Sequence, residues 1–364
     1  MRETMMETDV LIAGGGLSGL ALADRLTRAG AAFHLIEAQE RFGGRILTAT
    51  FGGAGFDLGP AWFWPEQPRM AAMARRFALT VFEQHADGDL MFQDASGAVH
   101  RGRGYASMEG SLRLAGGMGA LIDALSAGIS AERLSRGMRL TALTREEGGI
   151  VAEAEQAGAA VQIRARRVVL AMAPRVIAER IRFAPSLGEA AMAAMARVPT
   201  WMAAQAKLVA LYDAPHWREA GLSGDAMSQR GPLVEIHDAS PLAGGPYALF
   251  GFVGVPAGAR AGRSEALKQA ALAQLAALFG PAMAAPLDVL TQDWAQEPAI
   301  AAPLDHAPLT RHPEYGRPQE LRDLWEGGLH LASTETGERF GGYLEGALEA
   351  ANIAAEALML GATA

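Results

Sequence analysis

The chain has 364 residues, of which 50% are hydrophobic, so it can bury a sizeable core and form two domains. Its net charge of -8 argues against nucleic-acid binding, which requires clustered Lys and Arg. The sequence contains no Cys, no secretory signal pattern and no apolar run long enough for a membrane span, so we expect a soluble, cytoplasmic protein without disulfides.

The first predicted elements form a βαβ unit. Residues 8–13 are a short apolar run that ends at glycines, which predicts a buried strand. Residues 17–29 have helical spacing and end at Gly30, and residues 33–36 predict the next strand. The later patterns predict helices at 70–77, 264–279 and 343–359, strands at 140–143, 150–152, 161–163, 168–171, 203–212 and 247–255, a loop at 296–318 and a closing strand from 329.

A glycine motif lies between the first strand and the first helix. The pattern Gly14-x-Gly16-x-x-Gly19 permits a tight turn and a close approach of the backbone to a pyrophosphate at the helix N-terminus. Glu37, at the end of the second strand, can accept hydrogen bonds from ribose hydroxyls and would repel a 2′-phosphate. This pattern predicts FAD or NAD and disfavours NADP; the alternative is a glycine-rich turn without a ligand. The residues predicted to contact the dinucleotide here are Gly14, Gly16, Leu17, Ser18, Gly19, Glu37 and Ala38.

Further motifs indicate a family. Arg41-Phe-Gly43-Gly44-Arg45 follows the ribose acid, and Phe56–Trp62, Gly116-Gly117-Met118, Thr334-Glu335-Thr336 and Gly342-Tyr343-Leu-Glu-Gly346 come in that order. This order resembles the flavin amine oxidase family, the monoamine oxidase-like group. The resemblance implies an α/β fold with a Rossmann-like domain for non-covalent FAD and an interleaved, shortened α+β substrate domain. The implied boundaries are 1–66, 114–185 and 306–364 for the FAD-binding domain and 67–113 and 186–305 for the substrate domain.

The chemistry of two charged residues makes them candidates for cofactor contacts. Arg45 supplies a fixed cation for pyrophosphate oxygens, unless it is a surface residue. Glu335 follows a buried apolar strand, where an uncompensated carboxylate is costly. We therefore expect Glu335 to bind a ribityl hydroxyl; the alternative is a helix cap.

The resemblance also implies further cofactor contacts. A glycine pair before Tyr343 would bring the last helix close to the flavin, where the helix dipole stabilises the reduced ring. The implied cofactor contacts are Gly43, Gly44, Arg45, Gly59, Pro60, Ala61, Trp62, Leu140, Trp294, Thr334, Glu335, Gly342, Tyr343 and Leu344.

Two residues are candidates for catalysis. Lys207 lies alone among apolar residues of a predicted strand, where a buried ammonium is costly unless it is paired or deprotonated. By resemblance it assists the reaction of reduced flavin with oxygen; the alternative is a solvent-facing lysine of an edge strand. Tyr343 matches one wall of the aromatic cage that holds the amine in this family. The opposite wall falls on Leu304, so the cage is incomplete. The predicted substitutes are Trp62, Trp64 and Phe340; the alternative for each is a core position.

The leading hypothesis for function is an FAD-dependent oxidoreductase. It would oxidise an amine by hydride transfer to flavin N5, with oxygen as acceptor and hydrogen peroxide as product. The incomplete cage keeps a dehydrogenase, a desaturase and a reduced-nicotinamide oxidase open, and a non-catalytic redox sensor is a further alternative. The short stretch between Trp64 and Gly116 predicts an open entrance or one that is covered by a second copy of the chain. The histidines lack the spacing of metal ligands, so no metal is expected.

Overall fold

The computed structural model describes residues 5–102, 107–307, 309 and 311–360. Within these ranges no helix is both long and apolar enough to cross a bilayer. The α-helices are α1 (Leu17–Arg28), α2 (Pro68–Arg76), α3 (Gly119–Ala127), α4 (Pro174–Arg180), α5 (Glu189–Arg197), α6 (His216–Glu219), α7 (Ala257–Arg260), α8 (Ser264–Phe279) and α9 (Leu344–Leu360). The strands are β1 (Met6–Ala13), β2 (Phe33–Ile36), β3 (Thr48–Phe51), β4 (Ala54–Asp57), β5 (Val81–Glu83), β6 (Asp89–Gln93), β7 (Val99–Gly102), β8 (Leu112–Leu114), β9 (Leu134–Ser135), β10 (Met138–Glu146), β11 (Gly149–Gln156), β12 (Ala159–Leu170), β13 (Arg182–Ala184), β14 (Ala206–Tyr212), β15 (Leu222–Ser228), β16 (Leu233–Asp238), β17 (Tyr247–Val253), β18 (Asp288–Asp293) and β19 (Leu329–Leu331).

The first sheet contains the predicted βαβ unit. Its strand order is β13-β10-β11-β12-β1-β2-β9, and β19 pairs with β12. Strand β1 runs parallel to β2 and to β12, so Val10 lies between Phe33 and Arg167. Helix α1 ends one residue before the predicted end, and Gly30 adopts the left-handed conformation (φ +69°) that a glycine after a helix favours.

Helices cover both faces of this sheet. On one face α1, α3 and α9 contribute to an apolar cluster that includes Leu22, Leu121 and Leu348. On the other face α4 and α5 pack through residues such as Ile177 and Met195. The parallel strands are therefore buried on both faces, as in other helix-covered parallel sheets.

The second sheet has a different neighbour on each of its two faces. Its order is β18-β14-β17-β16-β15-β6-β7. Helix α8 packs on one face, where Leu275 joins Leu233 and other residues in a cluster. The other face presents Val209 and Phe250 to Phe56, which lies on β4. This second face is the one that meets the functional cavity.

Several elements differ from their predictions. The predicted strand at 203–212 starts only at Ala206, because the preceding residues form a turn in which Met202 has φ +63°. The predicted loop at 296–318 contains a short 3-10 helix at Pro303–His306. The stretch from 67 to 113 contains β5, β6, β7 and most of β8 in addition to its helix. Local patterns do not reveal these strands, because β5 pairs with β8 and β6 pairs with β15, far along the chain, while β7 pairs with β6 in a hairpin.

Candidate active site

A cavity of about 470 Å³ lies between the end of the first sheet and the face of the second. It begins at the carboxyl ends of β1 and β2, where Ala13 and Ile36 line it. It extends to the second sheet, where Lys207 and Phe252 line it. Ligands of parallel α/β sheets bind at this edge, because loops and helix N-termini meet there.

Helix α1 begins at the cavity without a side-chain cap. Gly16 occupies the N-cap position and contributes no side-chain hydrogen bond, and Leu17 and Ser18 follow it in the cavity wall. The backbone N–H groups of this first turn are thus available to an anion, which the helix dipole also favours. Gly14 has φ +114°, and a Cβ there would lie 2.6 Å from the carbonyl oxygen of Ala171, so the turn requires glycine.

Glu37 lies beside this helix start and is only 6% exposed. Its two carboxylate oxygens accept hydrogen bonds from the backbone N–H groups of Gly15 at 2.6 Å and Gln39 at 2.8 Å. Burial raises the pKa of Glu37, and these amides act in the opposite direction. Each oxygen keeps a second lone pair, so a cavity-lining Glu37 can accept hydrogen bonds from a ligand as well.

A buried ion pair joins the two ends of the chain. Arg45 donates through Nη1 to Oε1 of Glu335 at 2.6 Å and through Nη2 to Oε2 at 3.2 Å. Burial would lower the pKa of Arg45, but the charge of Glu335 outweighs it, so the pKa lies above its ordinary value. Ser18 provides a second link, because its hydroxyl donates to the carbonyl oxygen of Ala332 at 2.5 Å.

Glu335 is fully buried and is not among the residues that line the cavity. Arg45 supplies the opposite charge that this buried carboxylate requires. A contact of Glu335 with a ribityl hydroxyl stays a prediction. Arg45 itself still lines the cavity.

Lys207 is buried in the middle of the second sheet. Its Nζ donates to the carbonyl oxygen of Gly59 at 2.6 Å and to that of Asp57 at 3.3 Å. The ring of Phe250 lies 4.3 Å from Nζ, and the rings of Trp62 and Phe252 lie within 6 Å. Burial lowers the pKa of Lys207 to about 7, against the opposing charge of Asp57. The strand is not an edge, since β14 pairs with both β17 and β18, so the solvent-facing alternative is wrong.

Tyr343 precedes α9 and lies in an aromatic cluster. Its ring is stacked on His312 with centroids 5.0 Å apart and meets the edge of Trp64 at 6.0 Å. Trp201 packs in turn on His312, at 4.7 Å. A group inserted between two rings needs roughly 7 Å, twice the contact distance of about 3.5 Å. His312 therefore covers one face of Tyr343, and a ligand can approach only from elsewhere in the cavity.

Two predicted substrate residues lie outside the cavity wall. Leu304 is 60% exposed, because Arg175 binds the carbonyl oxygen of Leu304 and the carboxylate of Asp305 and holds this short helix with Leu304 outward. Phe340 is half-buried and does not line the cavity either. The assignment of both residues to the substrate pocket is thus not supported.

Most of the other predicted site residues do line this one cavity. They are Gly14, Gly16, Leu17, Ser18, Glu37, Ala38, Gly43, Gly44, Arg45, Gly59, Pro60, Ala61, Trp62, Trp64, Leu140, Lys207, Trp294, Thr334, Gly342, Tyr343 and Leu344. Gly19 does not; a Cβ there would lie 1.9 Å from the carbonyl oxygen of Gly14, so Gly19 lets α1 pack against the turn. Gly19 therefore permits close packing of α1 and does not line the cavity.

Sequence reasoning missed several cavity residues. Met108, Trp201, Gln205, Glu235 and Phe252 all line the wall. Glu235 belongs to β16 (Leu233–Asp238), whose mixture of apolar and charged residues does not form the regular alternation that predicts a strand. The other residues follow from long-range packing, for which the sequence offers no local signal.

Comparison with known protein families decides the identity of the chain. The family model described as flavin containing amine oxidoreductase matches residues 88–359, and a model of an NAD(P)-binding Rossmann-like domain matches residues 12–87. The chain belongs to the flavin-containing amine oxidoreductase family. It is therefore a flavin-dependent oxidoreductase with a Rossmann-like domain, as its motifs predicted.

Relatives of this amine oxidoreductase include a Mycobacterium tuberculosis protein whose name describes a flavin-containing monoamine oxidase, 27% identical over 95% of each chain. Putrescine oxidase of Kocuria rosea is 30% identical over 35% of this chain and 27% of its own length. The first alignment spans 447 positions, more than the 364 residues of this chain, so that relative contains segments that this chain lacks.

Solved structures share the fold of this amine oxidoreductase. Cyclohexylamine oxidase from Brevibacterium oxydans superposes with a TM-score of 0.81 at 20% identity, over 98% of this chain and 100% of that one. A putrescine oxidase bound to putrescine superposes with a TM-score of 0.79 at 19% identity, again over 98% and 100%. At this identity the likeness establishes the fold alone.

Proposed function

We propose that this family member is an oxidase that uses non-covalently bound FAD to oxidise a small amine. The observation that supports this most strongly is a shared cavity. The uncapped start of α1, the buried Lys207 and Tyr343 all line it, so a dinucleotide site and two candidate reactive groups are continuous. A protein that only stores a flavin needs neither a buried lysine nor an adjoining pocket.

The residues at the dinucleotide end fit FAD. Gly16 would keep its Cβ position open, since its nearest neighbours are the carbonyl oxygen of Gly43 at 3.8 Å and Cα of Gly44 at 3.9 Å, which leaves a backbone-lined hollow for phosphates. Glu37 offers acceptors for ribose hydroxyls, and Arg45 offers a nearby positive charge. Because the chain has no Cys, a cysteinyl link to the flavin is excluded.

At the other end of the cavity, the chain's own residues would bind and orient the substrate. When bound, FAD would supply the hydride acceptor at N5 and would later return the electrons to oxygen. Trp64 and Phe252 provide apolar walls that exclude water, while Tyr343 presents its free side to the substrate. Lys207 is held at a fixed point by Gly59 and can hold a proton or a water molecule there.

A second candidate function is the dehydrogenation of an apolar substrate within the same family. The observation that favours it is the incomplete cage: Leu304 points to solvent, and His312 covers one face of Tyr343. Such a reaction would need no site for an amine. The two functions therefore differ in which reductant transfers electrons to the flavin.

Anaerobic reduction of the flavin distinguishes these functions. The purified holoenzyme is mixed without oxygen with amines, amino acids, polyamines and reduced nicotinamides, and the visible flavin absorbance is followed. We expect at least one amine to bleach the flavin and readmitted oxygen to restore the absorbance with formation of hydrogen peroxide. An apolar polyene is tested in the same way. Bleaching by the polyene or by a reduced nicotinamide, and by no amine, would exclude the amine oxidase.

A further inference from the structure

One acidic side chain in the cavity wall has no role in the dinucleotide site. Among the residues that the structure describes, the carboxylates that line the cavity are Glu37 and Glu235. Glu37 lies beside the start of α1, whereas Glu235 lies on β16 in the second sheet. Glu235 is therefore a negative charge at the end of the cavity where the substrate would bind.

Strand register places Glu235 in line with Lys207. Lys207 on β14 pairs with Phe252 on β17, and Phe252 pairs with Glu235 on β16. Paired residues of antiparallel strands point to the same face, so these three side chains form one row. With strands about 4.8 Å apart, the row places Glu235 roughly 10 Å from Lys207 along the cavity wall.

Neighbouring groups hold Glu235 in its charged form. Nε2 of His237 lies 2.9 Å from Oε1 of Glu235, and the hydroxyl of Ser107 donates to the same oxygen at 2.7 Å. The hydrogen bond with His237 lowers the pKa of Glu235 in spite of partial burial. Asp225 binds the other ring nitrogen of His237, so one imidazole lies between two carboxylates. Burial opposes the protonation of His237, but the hydrogen bonds with Asp225 and Glu235 outweigh it and raise the pKa of His237.

The second carboxylate oxygen of Glu235 is free for a ligand. Both hydrogen bonds go to Oε1, and Oε2 has no hydrogen-bond partner among the residues that the structure describes. The side chain is 25% exposed, so it is accessible from the cavity.

We propose that Glu235 binds a second cationic group of the substrate, so that this enzyme acts on aliphatic diamines in preference to monoamines. The proposal rests on the proposed amine oxidation. One amino group reacts near Lys207 and Tyr343, and the distal ammonium pairs with Oε2 of Glu235. The ring of Phe252, which lies between Lys207 and Glu235 in this row, contacts the methylene chain.

The test compares an unbranched α,ω-diamine with the monoamine of the same carbon chain. In the Glu235→Gln variant, the amide oxygen can still accept from His237 and Ser107, but the charge is lost. We expect the KM and the dissociation constant of the diamine to rise by about 10- to 100-fold, which corresponds to the loss of one charged hydrogen bond. The same quantities for the monoamine should change by less than about threefold, and kcat should change little. Glu83→Gln, an exposed position on β5, is the matched control and should match the wild type.

Two measurements distinguish a failure of the Glu235 cation site from a failure of the proposed amine oxidation. Anaerobic bleaching of the flavin reports amine oxidation, and calorimetric binding to the holoenzyme reports the role of Glu235 independently of turnover. If diamines bind through Glu235 without bleaching the flavin, amine oxidation is wrong and the cation site stands. If amines bleach the flavin but Glu235→Gln weakens both compounds equally or neither, the cation site is wrong. Equal affinity of the wild type for the two compounds would also overturn it.

Discussion

Lys207 has an ammonium group enclosed by aromatic rings and backbone carbonyls, and this burial predicts a pH-dependent stability. In the folded chain its pKa is about 7, against 10.5 for an ordinary lysine. Between these two values, the side chain of Lys207 is protonated in the unfolded chain and neutral in the folded chain. The free energy of unfolding therefore falls as the pH drops from about 10 to about 7, and the penalty is constant below that.

Replacement of Lys207 by Met removes this penalty. In urea titrations between pH 7 and pH 10, we expect the stability of Lys207→Met relative to the wild type to be highest near pH 7 and to decrease as the pH rises. Lys268→Met on α8 is the control, because Lys268 is the other lysine of the chain and lies outside the cavity. A difference that does not vary with pH would show that the folded Lys207 stays protonated.

The same variant tests the proposed role of Lys207 in the reaction with oxygen. Lys207→Met should slow the reoxidation of substrate-reduced flavin by at least about tenfold, since groups that transfer protons or position water typically contribute 10²- to 10⁴-fold. The bound flavin should remain, because the residues proposed to hold the adenosine and the pyrophosphate, Glu37 and the start of α1, are unchanged. Stopped-flow mixing of reduced enzyme with oxygenated buffer measures the rate. An unchanged rate would remove Lys207 from the oxidative half-reaction.

The ion pair of Arg45 and Glu335 should stabilise the fold even without flavin. Arg45→Ala leaves a fully buried carboxylate without its partner and should lower the free energy of unfolding of the flavin-free protein by about 3 kcal/mol. A double-mutant cycle with Glu335→Ala should give a coupling energy of about 1–3 kcal/mol. The exposed pair of Arg182 and Glu153 is the control and should couple by no more than about 1 kcal/mol. A similar small coupling for both pairs would contradict the structural role.

At the scale of elements, Glu345 on α9 caps the start of α2. Its carboxylate accepts from the backbone N–H groups of Arg69 at 3.0 Å and Met70 at 2.9 Å, and from the guanidinium of Arg69 at 3.1 Å. Gln67, the N-cap residue of α2, makes no side-chain cap of its own. The glutamate of the C-terminal motif thus holds a helix that lies 275 residues earlier in the chain.

Glu345→Gln should therefore loosen α2. We expect a loss of about 1–2 kcal/mol in the local opening free energy of this helix, because the charge at its positive end is removed. Hydrogen exchange followed by mass spectrometry would show faster exchange in α2 than in α8. Glu265→Gln, in the first turn of α8, is the matched control for removing a carboxylate near a helix start. Unchanged protection of α2 would mean that the cap does not stabilise it.

The elements also show which features a sequence can predict. Strands β1, β2, β14 and β17 are apolar runs, so hydrophobic pattern identified them. Strand β16 escaped prediction because its buried face holds Glu235 and His237, which a pattern of hydrophobic residues treats as exposed. Their burial depends on Asp225 of the neighbouring strand, and this pairing arises only after folding.

At the scale of the whole molecule, the motifs predicted the cofactor class but not which distant residues pair with each other. Arg45 and Glu335 are 290 residues apart, and nothing local indicates that they pair. The two sheets each take strands from separate stretches of the chain. We propose that the sheets correspond to the discontinuous FAD-binding and substrate domains that the motifs predicted. The boundaries between those domains stay a prediction.

We propose that residues from both ends of the chain and from the second sheet build one flavin site beside the substrate. A crystal structure of the FAD-loaded protein tests this most directly. We expect the adenosine ribose at Glu37, the pyrophosphate at the start of α1, and the flavin ring between Lys207 and Tyr343. A flavin whose ring lies away from Lys207, or a dinucleotide bound outside this cavity, would contradict this arrangement.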